Sequence, residues 1–320
     1  MLFAKKLLNK LTGLHYNQEY LCFGKETFSQ PLHLYLTTNN YIIKDITNQH
    51  LFIGYCPLLF AITAIELPDN IRLTLINKFL SPNEQFSKKD AIGILNLKKI
   101  KKQDTGNMPA SYYEGVDGTH HFISLFQQFI NNIYNRLYNN RPGNIFLHTN
   151  LYRQVQIAYA IPRSISLITI GNEGLFNLFP TDLNGQVDEE HYIISLRTGG
   201  KALEQVEKIC KVLLSEVDAQ ACKTVYIQGK NHMQEMKPPS GFPFSHLLSA
   251  TFNWPLPEKV VSYKELIFTG GFVLGIHKIL LFKIISYHQI QPGTSTLAHI
   301  HNSYATWRYK NNLPGNYLPR

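Results

Sequence analysis

The residues with the most definite chemistry are Arg197-Thr-Gly-Gly-Lys201, which the sequence pattern sets between a strand and a helix. Backbone N–H groups at a helix start point outward without intrahelical partners, and the helix dipole favours negative charge there. Gly199 and Gly200 permit close approach to the backbone. Arg197 and Lys201 add charge-assisted hydrogen bonds, the former in the bidentate geometry that phosphates favour. The chemistry is phosphate binding, although the same residues also suit an ordinary strand-to-helix turn with exposed basic side chains. The histidines offer less. His299 and His301 alternate on a candidate strand and share a face, a spacing able to ligate a metal, but no carboxylate or Cys stands nearby in sequence to complete the shell. His277 interrupts an apolar strand and reads as a buried, hydrogen-bonded residue, and His120-His121 as a solvated helix start. GxSxG, HExxH and GxxxxGK[ST] are all missing, which removes the support for hydrolase, zinc-protease and P-loop chemistry. Gly270-Gly271 reads as a bulge within strands.

The motifs on either side extend this reading. Ile161-Pro-Arg-Ser-Ile-Ser-Leu-Ile-Thr-Ile170 runs into Gly-Asn-Glu-Gly-Leu-Phe-Asn177-Leu-Phe-Pro180-Thr-Asp182, and Tyr192-Ile-Ile-Ser-Leu-Arg197 follows. With Gly270-Gly-Phe-Val-Leu-Gly275-Ile-His277 and His301-Asn-Ser-Tyr304, this order resembles the flavin reductase-like FMN-binding split-barrel family from Tyr152 to Tyr304. The resemblance implies FMN as cofactor, NADH or NADPH as electron donor, and a homodimer with flavin at the subunit interface. It sets Asn177 and Thr181 near the flavin ring or ribityl chain. Arg197, Thr198 and Lys201 fall on the phosphate with Gly199 and Gly200. Ser195 joins the cofactor-binding set, and His301 and Tyr304 take the outer face. No catalytic dyad is required, because the flavin carries the electronic work. Three positions depart from the family pattern. Asp182 replaces a small hydroxyl residue, Ala202 a Thr and Gln205 an Asn, and a carboxylate beside a phosphate dianion repels it unless turned away or neutralised. The resemblance therefore implies an NAD(P)H-dependent flavin oxidoreductase, with a non-catalytic flavin carrier, sensor or interaction module as the alternative.

The elements that must position these residues fall in two units, 1–140 and 141–320, divided at the stop signal Asn139-Asn140-Arg141-Pro142-Gly143. Short strands with turn residues between them cover Leu32 to Leu36, Tyr41 to Ile46, Leu51 to Tyr55, Leu58 to Ile65 and Ile71 to Ile76. Ser81 to Gly118 is polar and lysine-rich and reads as a loop-rich connection. Phe122, Leu125, Phe126, Phe129, Ile130, Ile133 and Leu137 then recur at helical spacing, with Thr119 as cap and the aromatic stripe as core packing. Beyond the boundary, strands are expected at Val155 to Ala160, Ser164 to Ile170, Tyr192 to Leu196, Thr224 to Gln228, Lys259 to Phe268 and Phe272 to Ile285. One helix stands among them, its buried face marked by Leu203, Val206, Cys210, Leu213 and Val217. The expected fold is α+β and mainly β: a split β-barrel preceded by a smaller β-rich unit and a connecting helix. The first unit is read either as a small sheet capping the flavin pocket or as a degenerate second barrel. No internal repeat of about 20 to 50 residues is evident.

A chain of 320 residues with 44% hydrophobic side chains is long enough for two packed units. The net charge of +9 suits an anionic partner. Apart from Lys98, Lys99, Lys101 and Lys102 the lysines are dispersed, so nucleic acid is not the expected partner. Cys22, Cys56, Cys210 and Cys222 have no ligand spacing and read as free thiols of a cytoplasmic protein. Met1 to Leu11 reads as a short amphipathic helix rather than a signal peptide, and the apolar run Leu51 to Ile65 is too short to span a bilayer.

Overall fold

The computed structural model describes residues 11–25, 32–63, 67–100, 110–138, 145–313 and 315–318. The expected amphipathic segment up to residue 10, Lys101 and Lys102, and the boundary at 139–143 lie outside them. The first part contains strands β1 (Tyr20–Gly24), β2 (His33–Thr38), β3 (Tyr41–Asp45), β4 (His50–Tyr55), β5 (Leu58–Ile62), β6 (Asn70–Ile76), β7 (Ala91–Lys99) and β8 (Ser111–His120). Helices α1 (Leu125–Tyr138) and α2 (Thr149–Ala158) follow. Next come β9 (Arg163–Ser164), β10 (Ser166–Asn172), β11 (Leu175–Thr181), β12 (Asn184–Gln186), β13 (His191–Arg197), α3 (Lys201–Ile209), β14 (Lys211–Val217) and α4 (Cys222–Ile227). The chain closes with β15 (Phe244–Leu248), β16 (Pro255–Pro257), β17 (Val260–Leu274), β18 (His277–Gln289), β19 (Leu297–His301), α5 (Asn302–Lys310) and β20 (Tyr317–Leu318). The protein is mainly β, in antiparallel sheets with few helices. Among the described residues no helix is long and apolar enough to cross a membrane.

Two seven-stranded sheets dominate, with orders β3-β2-β6-β7-β8-β5-β4 and β11-β10-β14-β17-β18-β13-β12. Ranking each strand within its own sheet gives 2-1-5-6-7-4-3 in both, so the chain traces one path twice. The first sheet is thus not smaller than the second. A four-stranded sheet, β20-β1-β19-β9, ties the start of the chain to its end. The two large sheets meet where β4 lies against β12 and β13. Ile53, Leu59, Ala61 and Tyr112 of one share a buried cluster with Ile193, Ile279 and Leu281 of the other. Gly185 makes the approach possible, since a Cβ there would stand 2.1 Å from a Leu51 methyl carbon.

Several expectations are corrected. Much of Ser81 to Gly118 is the strand pair β7–β8, hidden in the sequence because Lys98, Glu114 and Asp117 alternate with Gly115 and Gly118, residues of low strand propensity. Those glycines leave room for α2: a Cβ on Gly118 would sit 3.0 Å from Ile157. Thr119 belongs to β8 and caps nothing. On α1 the apolar stripe faces solvent, with Leu125, Phe126, Phe129 and Leu137 exposed. The buried face is amide-bearing instead, Gln128 donating to the carbonyls of His120 and Ile123 at 3.1 and 3.0 Å. Val155 to Ala160 is mostly helix α2, and Thr224 to Gln228 falls in α4 and the 3-10 turn after it, because short apolar runs carry no decisive period. The expected helix through Val217 ends at Ile209. Cys210 takes a left-handed φ of 59°, leaving it exposed, and Lys211 onward is β14. Strand β17 runs through Gly270-Gly271 with a register shift at the expected bulge, and the hairpin turns at Gly275-Ile276 rather than before Phe272. His120, expected in solvent, is buried on β8 and bonded to Gln156 at 2.9 Å.

Candidate functional site

β13 delivers Arg197 to the end of its sheet, and the next three residues turn into α3. The backbone N–H of Thr198 donates to Ile276 O at 2.9 Å, and that of Ile276 to Cys56 O at 3.1 Å, which fastens the turn to the β4–β5 hairpin of the other sheet. Gly199 has φ +80°, a conformation that favours glycine, and open space around the position of a Cβ. Gly200 precedes α3 with no side-chain cap on the helix start. Arg197 Nε donates to the Tyr55 hydroxyl at 2.7 Å, with the guanidinium 5.5 Å from the centre of that ring. Lys201 is shared by Glu235 and Glu204 at 3.1 and 3.2 Å, and these two carboxylates raise its pKa.

Behind Arg197 lies a cavity of about 280 Å³ whose walls include Tyr20, Tyr55, Tyr159, Asp182 and His299. Asp182 accepts from His299 Nδ1 at 2.9 Å. Burial acts to raise its carboxyl, but the bond and charge of His299, the Tyr159 hydroxyl and the charge of Arg163 together hold it below the ordinary carboxylate value. His299 Nε2 also meets the Tyr226 hydroxyl. The departure at position 182 is thereby neutralised by its own surroundings. Nothing in the local sequence marks Tyr55 or Tyr159; the first reaches this site from β4 of the other sheet and the second from the end of α2.

The remaining expected residues do not line this cavity, and several lie in the core. Thr181 Oγ1 accepts from Leu183 N at 3.4 Å, and Thr198 Oγ1 donates to Ile276 O at 3.2 Å. Asn177 is fully buried under α3, its amide donating to Gln205 Oε1 at 2.7 Å and to Asn231 O at 3.1 Å. The departure at Gln205 is therefore the partner of Asn177, and the one at Ala202 packs in the core beneath α3. Ser195 pairs with His277 Nδ1 at 3.1 Å, and burial pushes that imidazole down to about 4. His301 and Tyr304, expected at the outer face, are in the core. His301 bonds the Tyr152 hydroxyl at 3.2 Å and is pushed down to about 3 by burial, with His120 adding to it; Tyr304 stacks on Trp307. Among the described residues no group of three or more His, Cys, Asp or Glu side chains is arranged to hold a metal ion.

A phosphate fits the uncapped start of α3, with open Gly199 and Arg197 beside it, and the tyrosine-walled cavity suits a flat ring. The two carboxylates on Lys201 oppose part of that charge.

No protein-family model matches the sequence, and no curated protein matches it. Solved structures do. An NADH:FAD oxidoreductase of Streptomyces globisporus is 13% identical, the match covering 51% of this chain and 96% of that one at a TM-score of 0.41. BorF, the flavin reductase component of a bacterial two-component tryptophan halogenase, is 11% identical over 46% of this chain and 91% of its own, at 0.40. An FMN-binding protein from Thermus thermophilus is 15% identical over 40% and 71%, at 0.34. The chain is thus similar, over about half its length, to flavin reductases and FMN-binding proteins.

Proposed function

We propose that the protein binds FMN and uses it to accept reducing equivalents from NADH or NADPH. The observation that carries this reading is the join between β13 and α3: a helix start without a side-chain cap, an open glycine at positive φ, and Arg197 aimed into an aromatic cavity. Arg197 and the backbone of Gly199 and Gly200 hold the phosphate, and Tyr55 and Tyr159 wall the ring. A bound flavin supplies hydride acceptance; the chain supplies placement and exclusion of water. Tyr55 comes from the first sheet, so in this reading both halves of the chain contribute to the site.

A second reading, a flavin-binding protein without reductase activity, draws on Lys201 and Asn177. One is held by two carboxylates and the other is spent beneath α3, which leaves fewer groups to orient a donor and acceptor. The visible spectrum of the purified protein with and without FMN, followed by NADH and NADPH oxidation, separates the two. A flavin shift with nucleotide oxidation supports the first reading. A shift without oxidation supports the second, and no shift in excess FMN removes both.

A further inference from the structure

A larger cavity, about 630 Å³, opens at the other side of the junction, where His50 of β4, Arg163 of β9 and the strand β12 converge. Its charge is one-sided. Among the described residues, Lys25, Arg163, Lys264 and Arg308 line it against the single carboxylate Glu216. Arg163 is the telling group. It is 7% exposed, its guanidinium lies 4.7 Å from the centre of the Phe52 ring, and it donates one hydrogen bond, to the Ala158 carbonyl at 3.2 Å. Among the described residues its Nε has no hydrogen-bond partner. Burial lowers its pKa to about 10, which leaves it cationic at neutral pH. A buried cation costs several kcal/mol unless an anion and hydrogen bonds compensate it. The carboxylate whose charge it feels, Asp182, already serves His299.

Lys25 stands beside β9, its Nζ on Ser164 Oγ at 2.9 Å, and Lys264 lies above the Tyr287 ring at 4.5 Å. Asn48 and Gln186 supply amide groups able to bond hydroxyl groups, and Ile161, Pro162 and Leu51 give an apolar floor. We propose that this cavity is a binding site for a phosphorylated sugar or similar small phosphomonoester, with the phosphate on Arg163 and Lys264 and the hydroxyls on the amides. Arginine is suited to the phosphate because its planar donors meet two oxygens at once. The site lies apart from the turn at Gly199, and its assignment does not rest on flavin binding.

Ribose 5-phosphate titrated into the full chain by calorimetry, with ribose as control, tests this. The expected result is binding of the phosphate ester, none of ribose, and at least about a tenfold loss in Arg163→Gln and Lys264→Gln, equivalent to about 1.4 kcal/mol. Glu216→Gln is expected to tighten binding and Lys201→Glu to leave it unchanged. Should Arg163→Gln fail to fold, the exposed Lys25→Gln and the Glu216→Gln pair decide instead. Absence of binding at millimolar ester, or binding lost in Lys201→Glu and kept in Arg163→Gln, overturns the proposal.

Discussion

Arg197 reaches a phenol on a residue 142 positions earlier in the chain, a contact that helps tie the turn before α3 to the opposite sheet. Replacing Arg197 by Gln removes the charge-assisted donors and is expected to weaken FMN binding by about tenfold or more. Tyr55→Phe keeps the ring and loses only the acceptor that aims the guanidinium, so a smaller loss, about two- to fivefold, is expected. Fluorescence titration of FMN quenching measures both; equal affinity in all three proteins would contradict the assignment. The buried histidines give a second prediction. Burial lowers His50 and His301 to about 3, and His120 and His277 to about 4, from an ordinary value of 6.5. Between those values the unfolded chain binds more protons than the folded one. Their stabilising contribution is therefore full above about pH 6.5 and is lost as pH falls toward 4, by up to about 1.4 kcal/mol per pH unit per histidine. Urea midpoints that stay level from pH 7 to pH 5 would contradict this.

Among the elements, the β17–β18 hairpin positions the site from behind. Gly275 has φ +60°, and a Cβ there would come 2.0 Å from the Cys56 carbonyl oxygen. Gly275→Ala is thus expected to push the two sheets apart and to destabilise by about 1–3 kcal/mol, read as a lower urea midpoint; a midpoint equal to that of the parent protein would contradict the role given to this contact. The strand-to-helix join after Arg197 was legible in the sequence because its glycines and basic residues act locally. The strands β2 to β6 were legible for the same reason, since turn residues punctuate them. β7 and β8 were not, because their glycines are explained only by α2 packing across them. The apolar period of α1 gave the helix correctly and its buried face incorrectly, since amides of Gln128 and Asn131 make the inward side. The end of α3 hangs on Cys210 adopting a left-handed backbone, which no periodicity announces.

At the level of the whole molecule, one strand order occurs twice, and the two copies meet face to face at β4, β12 and β13. Sequence periodicity misses such a repeat because two sheets can share a path without sharing residues. The copies differ at the connection that precedes the fifth strand of each. In the second, the link from β13 to β14 carries the nine-residue helix α3; in the first, β5 and β6 are joined by residues 63–69, too few for such a helix. One chain is therefore expected to bind one flavin rather than two, with walls drawn from both copies. The decisive measurement is a visible-absorbance titration of the full-length protein with FMN. A saturable spectral shift at one flavin per chain, abolished or greatly weakened in Arg197→Gln, is the predicted result. A spectrum that remains the sum of free FMN and protein at excess flavin would contradict the account.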